Sequence, residues 1–166
     1  TIVISGFSKY FAMTGWRLGY VCAPRQIIEV MHKIHQYSVM CASTVAQYTA
    51  YEALNTSLKN GFKEVHEMML VYDTRRKYIL KRLNEMGLDC FTPRGAFYVF
   101  PSVKSTGMDG EEFAYALLDA KNVAVVPGGA FGASGKDFIR ISYAYSLNVI
   151  EKAFDLIEEF LHEIRS

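Results

Sequence analysis

Three cysteines, Cys22, Cys41 and Cys90, are all that 166 residues contain. An odd number at wide spacings excludes a complete disulfide framework and fits reduced thiols in a cytoplasmic protein. Metal-ligand spacing is missing too. His32 and His35 can share a helix face, but no third or fourth ligand follows at a usable distance, so no metal site is expected. No apolar run approaches the roughly twenty residues that cross a bilayer, and no secretory leader is recognisable. Charge of one sign is also lacking: 18 Lys and Arg stand against 17 Asp and Glu, a formal net charge of +1. That balance argues against nucleic-acid and membrane-surface partners. An initiator Met is absent, and Thr1-Ile2-Val3-Ile4 opens at once as an apolar strand. The expectation is a piece of a longer protein.

What is present is apolar and aromatic. Hydrophobic residues make up 51% of the chain, with 11 Tyr and 11 Phe, enough for a real core. The length suits one modest domain, or one domain plus part of another. The run at 1–4 predicts a strand covered on both faces. Residues 5–15 read as a loop and 16–22 as a second strand, with Pro24 placed to start a helix. Residues 43–54 predict a helix. A long helix follows over 58–86, with Met69, Tyr72, Arg76, Ile79, Leu83 and Met86 along one side. Lys77, Lys81 and Arg82 mark its solvated face, and Gly87 its stop. From residue 96 the pattern is strand (96–101), helix (111–120), strand (123–126), glycine-rich loop (127–135), strand (138–144) and amphipathic helix (148–164). That β-α-β-β-α order packs as a small sheet with helices on one face.

Three groups of residues carry candidate chemistry. Lys9 follows the first strand among Phe7, Tyr10 and Phe11, with Ser8 beside it and Arg17 eight positions on. An apolar setting disfavours an ammonium and leaves a lysine amine able to attack a carbonyl. A guanidinium fork and a hydroxyl suit a phosphate. A phosphorylated aldehyde would satisfy all three groups; a surface lysine and an ion-paired arginine is the plainer alternative. Arg140 lies in Phe138-Ile139-Arg140-Ile141-Ser142-Tyr143. Alternation puts Ile139, Ile141 and Tyr143 on one face and Arg140 on the other. Residue types alone leave open an edge-strand arginine in a salt bridge. The loop from Pro127 to Lys136 fails as a nucleotide phosphate loop. Ala130 stands where the first glycine is needed, Asp137 follows Lys136 in place of Ser or Thr, and a strand follows instead of a helix.

The segment from Ser5 to Tyr20, SGFSKYFAMTGWRLGY, closely resembles the lysine motif of class I/II aminotransferases, most of all the aspartate aminotransferase-like branch. Phe138 to Tyr143 resembles that family's late strand. Pro127 to Gly132 resembles its PGxxFG segment, Pro93 to Tyr98 its small-domain strand entry, and Cys41 to Gln47 a segment near the dimer interface. The resemblance implies pyridoxal 5′-phosphate as cofactor, held covalently by Lys9 with Arg17 on its phosphate and Ser8 nearby. Some members place a phosphate-binding serine three positions before the lysine; Gly6 stands there, so no such contact is assigned. Arg140 is implied as the clamp for the substrate α-carboxylate. The implied fold is α/β: residues 1–57 end a fold-type I large domain, and 58–166 form its α+β small domain.

The resemblance further implies transamination between an L-amino acid, aspartate by branch, and a 2-oxo acid. It implies a homodimer, and a short chain that is inactive alone because the other cofactor contacts lie N-terminal to this segment. A fold-type I lyase, such as a carbon–sulfur β-lyase or an aminocyclopropane-carboxylate-synthase-like enzyme, shares these residues. An aminotransferase-like sensor domain of a transcription regulator is the non-enzymatic alternative.

Overall fold

The computed structural model describes residues 1–165. The chain divides into two compact units, Thr1–Met68 and Met69–Ser166.

In the first unit, β1 (Val3–Gly6) and β2 (Gly19–Cys22) pair antiparallel, with Val3 opposite Cys22 and Gly6 opposite Gly19. A short helix, α1 (Phe7–Tyr10), and a 3-10 turn at Thr14–Trp16 fill the connection. Two helices follow, α2 (Arg25–Val39) and α3 (Thr44–Asn60). Pro24 precedes α2, its carbonyl accepting from the amides of Ile27 and Ile28. A proline there costs no helical bond because the first-turn amides have no partner within the helix. The packed cluster joins Phe7, Met13 and Leu18 to Ala46 and Ala50 of α3. The strand expected to be covered on both faces is open instead: Val3 is 48% and Ile4 75% exposed. The reason is local. Buried side chains come from the connection between the strands, and only two strands form this sheet.

The expected long helix from residue 58 is in fact two. Gly61 and Phe62 take left-handed conformations, φ 68° and 60°, and separate α3 from α4 (Lys63–Glu85). Glycine adopts that geometry at little cost, so Gly61 is where the helix can end.

The second unit holds most of α4, then β3 (Tyr98–Val99), α5 (Gly110–Lys121), β4 (Val126–Pro127), β5 (Ile139–Ser142) and α6 (Leu147–Arg165). The β-α-β-β-α order expected from residue 96 is present. The strands form an antiparallel sheet in the order β3-β5-β4, with Tyr98 opposite Ser142 and Val126 opposite Arg140. Both outer strands are shorter than expected. β4 ends at Pro127, which has no amide to extend a ladder.

One core explains this unit. Ile79 and Leu83 of α4, Phe113 and Leu117 of α5, and Phe154, Ile157 and Leu161 of α6 pack with Val99, Ile139 and Ile141 of the sheet. Burying these side chains is the main favourable term, at about 1.5–3 kcal/mol for each large apolar group. A complete capping box starts α5: the Asp109 carboxylate accepts from the amides of Glu111 and Glu112, and Glu112 accepts from the Asp109 amide. One charge departs from expectation. Lys77 and Lys81 are solvated, but the Arg82 side chain is only 14% exposed and bonds Asp155 and Glu158 of α6. Lys121 joins α5 to Glu159 and Glu163 of α6 in the same way.

Candidate functional site

The lysine turn is built from the strand outward. The amide of Phe7 donates to the Leu18 carbonyl at 3.1 Å, and the Phe7 carbonyl accepts from Phe11 and Met13 at 3.2 and 3.3 Å. Phe7 is 6% exposed and its ring lies 5.5 Å from Phe11 and 5.7 Å from Tyr20. This anchor fixes Ser8 and Lys9 on α1, directly after β1. Gly6 faces Gly19 across the strand pair. A Cβ on Gly6 would lie 3.3 Å from the Leu18 carbonyl oxygen, and one on Gly19 3.1 Å from that of Ser5. Glycine at the position three before the lysine therefore has a packing reason of its own.

Thr14 ties the group together, and sequence reasoning did not single it out. Its hydroxyl donates to the Ser8 carbonyl at 3.0 Å, while its own carbonyl accepts from Arg17 Nη1 at 3.0 Å. Arg17 itself sits in the left-handed region, φ 53°. Ser8, Lys9 and Arg17 thus belong to one hydrogen-bonded turn. The expected apolar setting of Lys9 is only partly present: Phe7 is buried, Phe11 half-buried, and Tyr10 45% exposed, while Lys9 is on the exposed side. The cause is the same as for the open strand, since the packed cluster takes in Phe7 and the edge of Phe11 but not Tyr10. An amine, a guanidinium and a hydroxyl on one turn fit a phosphorylated aldehyde in donor chemistry.

Arg140 belongs to the second unit. It lies on the central strand β5, not an edge, and is half-buried. Ile139 and Ile141 point into the core at 0% and 9% exposure, so alternation puts Arg140 on the opposite face, as expected. Among the described residues no carboxylate lies within ion-pair distance of it. Its guanidinium instead sits over the Tyr98 ring at 4.6 Å and over the Phe131 ring at 4.6 Å.

The loop that carries Phe131 is a tight structure. It runs as two 3-10 turns, Gly128–Phe131 and Ala133–Gly135. The Gly128 amide donates to the Phe138 carbonyl at 2.7 Å, and the Gly110 amide to that of Lys136 at 2.7 Å. A Cβ on Gly128 would collide with the carbonyl oxygens of Gly135 and Phe138, and one on Gly135 with that of Gly128. Only glycine fits such an approach. Near Pro93 to Tyr98, the Ala96 carbonyl accepts the Tyr143 hydroxyl at 3.3 Å, and the Pro93 carbonyl accepts Arg76 Nη1 at 3.4 Å. Burial pushes the Tyr143 phenol above its ordinary value, and the Lys77 and then the Arg76 contacts hold Asp73 below the usual carboxylate range. Burial likewise raises the Cys90 thiol, which makes it a poorer nucleophile.

Among the described residues there is no group of three or more metal-ligating side chains, and no helix is long and apolar enough to cross a membrane. Residues 1–157 match the family described as aminotransferase class I and II, whose members are pyridoxal-phosphate-dependent. The aspartate aminotransferase of Pyrococcus abyssi is 50% identical over 163 residues, covering 98% of this chain and 41% of that protein. The aromatic-amino-acid aminotransferase 2 of Thermococcus litoralis is 45% identical, with 98% and 41% covered. Among solved structures, the aromatic aminotransferase from Pyrococcus horikoshii superposes with a TM-score of 0.92 at 48% identity, over 99% of this chain and 44% of that one. The chain therefore spans about 41% of the length of such curated relatives. With its lysine turn, its late-strand arginine and this match over nearly its whole length, the chain belongs to the class I and II aminotransferase family.

Proposed function

We propose that the whole protein carrying this chain is a pyridoxal-phosphate-dependent aminotransferase that moves an amino group between an L-amino acid and a 2-oxo acid. The observation that carries this reading is the turn that unites Ser8, Lys9 and Arg17 through Thr14. When bound, pyridoxal phosphate supplies an aldehyde that takes up the amino group and a ring that withdraws electrons from the substrate. Lys9 Nζ would be the covalent anchor and, as a free amine, the base that takes the proton from the substrate Cα. Arg17 holds the phosphate with its planar fork, and the Ser8 hydroxyl adds a donor. Arg140 holds the substrate α-carboxylate by two parallel N–H donors, which fixes the direction of the Cα–H bond.

In this reading residues 1–57 close the large cofactor domain and 58–166 form the small domain. Aspartate is the proposed amino donor, by the branch its motif resembles. The enzyme works as a cytoplasmic homodimer. The names of the relatives favour transamination over the lyase and sensor alternatives. A transamination assay with several amino donors, set against pyruvate release from cystathionine, separates the first two.

The direct test is an absorbance titration with pyridoxal phosphate, followed by borohydride reduction and peptide mass mapping, with Lys9→Ala as control. A saturable band and label on Lys9 alone is the expected result. Scattered labelling at many lysines, unchanged in the variant, would defeat the assignment.

A further inference from the structure

The contacts of Arg140 hold information beyond its role as a clamp. A half-buried arginine ordinarily finds a carboxylate, because a desolvated cation without compensation is costly. Arg140 has none among the described residues. Two ring faces take that place, Tyr98 and Phe131, each 4.6 Å from the guanidinium carbon. A ring face attracts a cation through its quadrupole, yet it is not a carboxylate competing for the N–H donors. The charge is thus compensated while the donors stay available to an oxygen ligand.

Both rings are themselves held. Tyr98 pairs with Ser142 in the sheet, two residues along β5 from Arg140, which makes it a diagonal neighbour on the same face. The Tyr98 ring packs 4.7 Å from that of Phe97. Phe131 ends a 3-10 turn inside the glycine-locked loop, and its ring lies 6.1 Å from Phe100, which stacks on Phe138 at 5.3 Å. An arginine side chain carries several rotatable bonds, and restricting them before the ligand arrives lowers the cost of binding.

We infer that Tyr98 and Phe131 are positioning residues that hold the Arg140 guanidinium in a set orientation, pre-arranged for a carboxylate. The inference rests on the reading of Arg140 as a carboxylate clamp. It assigns to the strand entry and to the glycine-rich loop a task beyond turn formation.

The test uses the complete protein loaded with pyridoxal phosphate, labelled with 15N-arginine, and four forms: wild type, Phe131→Leu, Tyr98→Leu and Tyr98→Phe. Phe131 is 54% exposed, so its replacement leaves the core intact. Succinate is the probe, because it has carboxylates and no amine to react. Its dissociation constant is read from the Arg140 Nε–Hε resonance, which also reports ring-current shielding. The expected result is a shielded resonance in wild type. Each leucine variant loses shielding and binds succinate on the order of ten-fold more weakly, the scale of one cation–π contact. Tyr98→Phe keeps both properties. In turnover, KM for the amino donor rises by the same factor while kcat changes by less than about two-fold, because the contact acts equally before and at the transition state.

Unchanged succinate affinity in both leucine variants overturns the inference and leaves the clamp standing. Equal weakening in Tyr98→Phe and Tyr98→Leu overturns it as well, since the hydroxyl and not the ring would then matter. If succinate does not move the Arg140 resonance even in wild type, the clamp falls and the inference with it. If succinate binds as expected but no amino donor turns over, the positioning role stands and the transaminase reading falls.

Discussion

At the scale of single residues, the candidate side chains were legible and their supports were not. Lys9, Ser8, Arg17 and Arg140 stand out because their types allow a phosphorylated aldehyde and a carboxylate and because the segments that carry them resemble the family's motifs. Thr14 and Tyr98 do not, because a threonine in a loop and a tyrosine in a strand have many ordinary uses. Their roles emerge only when the turn brings the Thr14 hydroxyl to Ser8 and the sheet register brings Tyr98 diagonal to Arg140. Gly128 is a third case. Its sequence context says tight turn, but only the fold shows the Gly135 and Phe138 carbonyls where a side chain would go. Gly128→Ala is expected to destabilise the second unit by about 1–3 kcal/mol, the range for overpacking a filled site. Urea unfolding followed by circular dichroism checks it; a midpoint equal to wild type would show that the loop gives way freely.

At the scale of elements, helix existence followed from apolar periodicity, and helix ends followed from local chemistry that periodicity does not contain. The expected helix over 58–86 merged two because Leu58 and the apolar positions of α4 keep a compatible phase across Gly61 and Phe62. The burial of Arg82 was hidden for a related reason: a lysine-rich neighbourhood reads as solvated until α6 arrives with Asp155 and Glu158. The cap of α5 gives the element-level prediction. The amides of Glu112 and then Glu111 hold the Asp109 carboxyl below its usual range. A carboxylate lowered in the folded state adds stability that is present above its unfolded value and is lost as pH falls through its folded value. Thermal melts of Asp109→Ala should therefore lie below wild type at neutral pH and converge with it in acid. Asp109→Asn, which still caps but does not titrate, should keep most of the neutral-pH stability and lose less of it on acidification. A constant gap between Asp109→Ala and wild type from neutral pH down into acid would refute this account.

At the scale of the whole chain, burial is uneven. The second unit closes a core around Ile79, Phe113, Ile139 and Phe154, all at 0% or 1% exposure. The first buries only Phe7, Met13, Leu18, Ala46 and Ala50 in its cluster, and α2 buries no side chain at all. Opening free energy tracks such packing. Native-state hydrogen exchange on this chain should find the slowest amides in β5, α5 and α6 and the fastest helical amides in α2. Protection of α2 equal to that of α6 would contradict this ordering. The same unevenness explains why the apolar run at 1–4 is not covered on both faces. Apolar composition tells which residues seek cover, not whether the cover lies within the same 166 residues.

Arg17 gives the turn one more meaning. A left-handed backbone costs an L-residue with a Cβ about 1–2 kcal/mol, and a glycine there would be relaxed. Under the proposed phosphate role of Arg17, that strain is stability yielded to chemistry, and relaxing it with Arg17→Gly would gain stability while weakening cofactor binding.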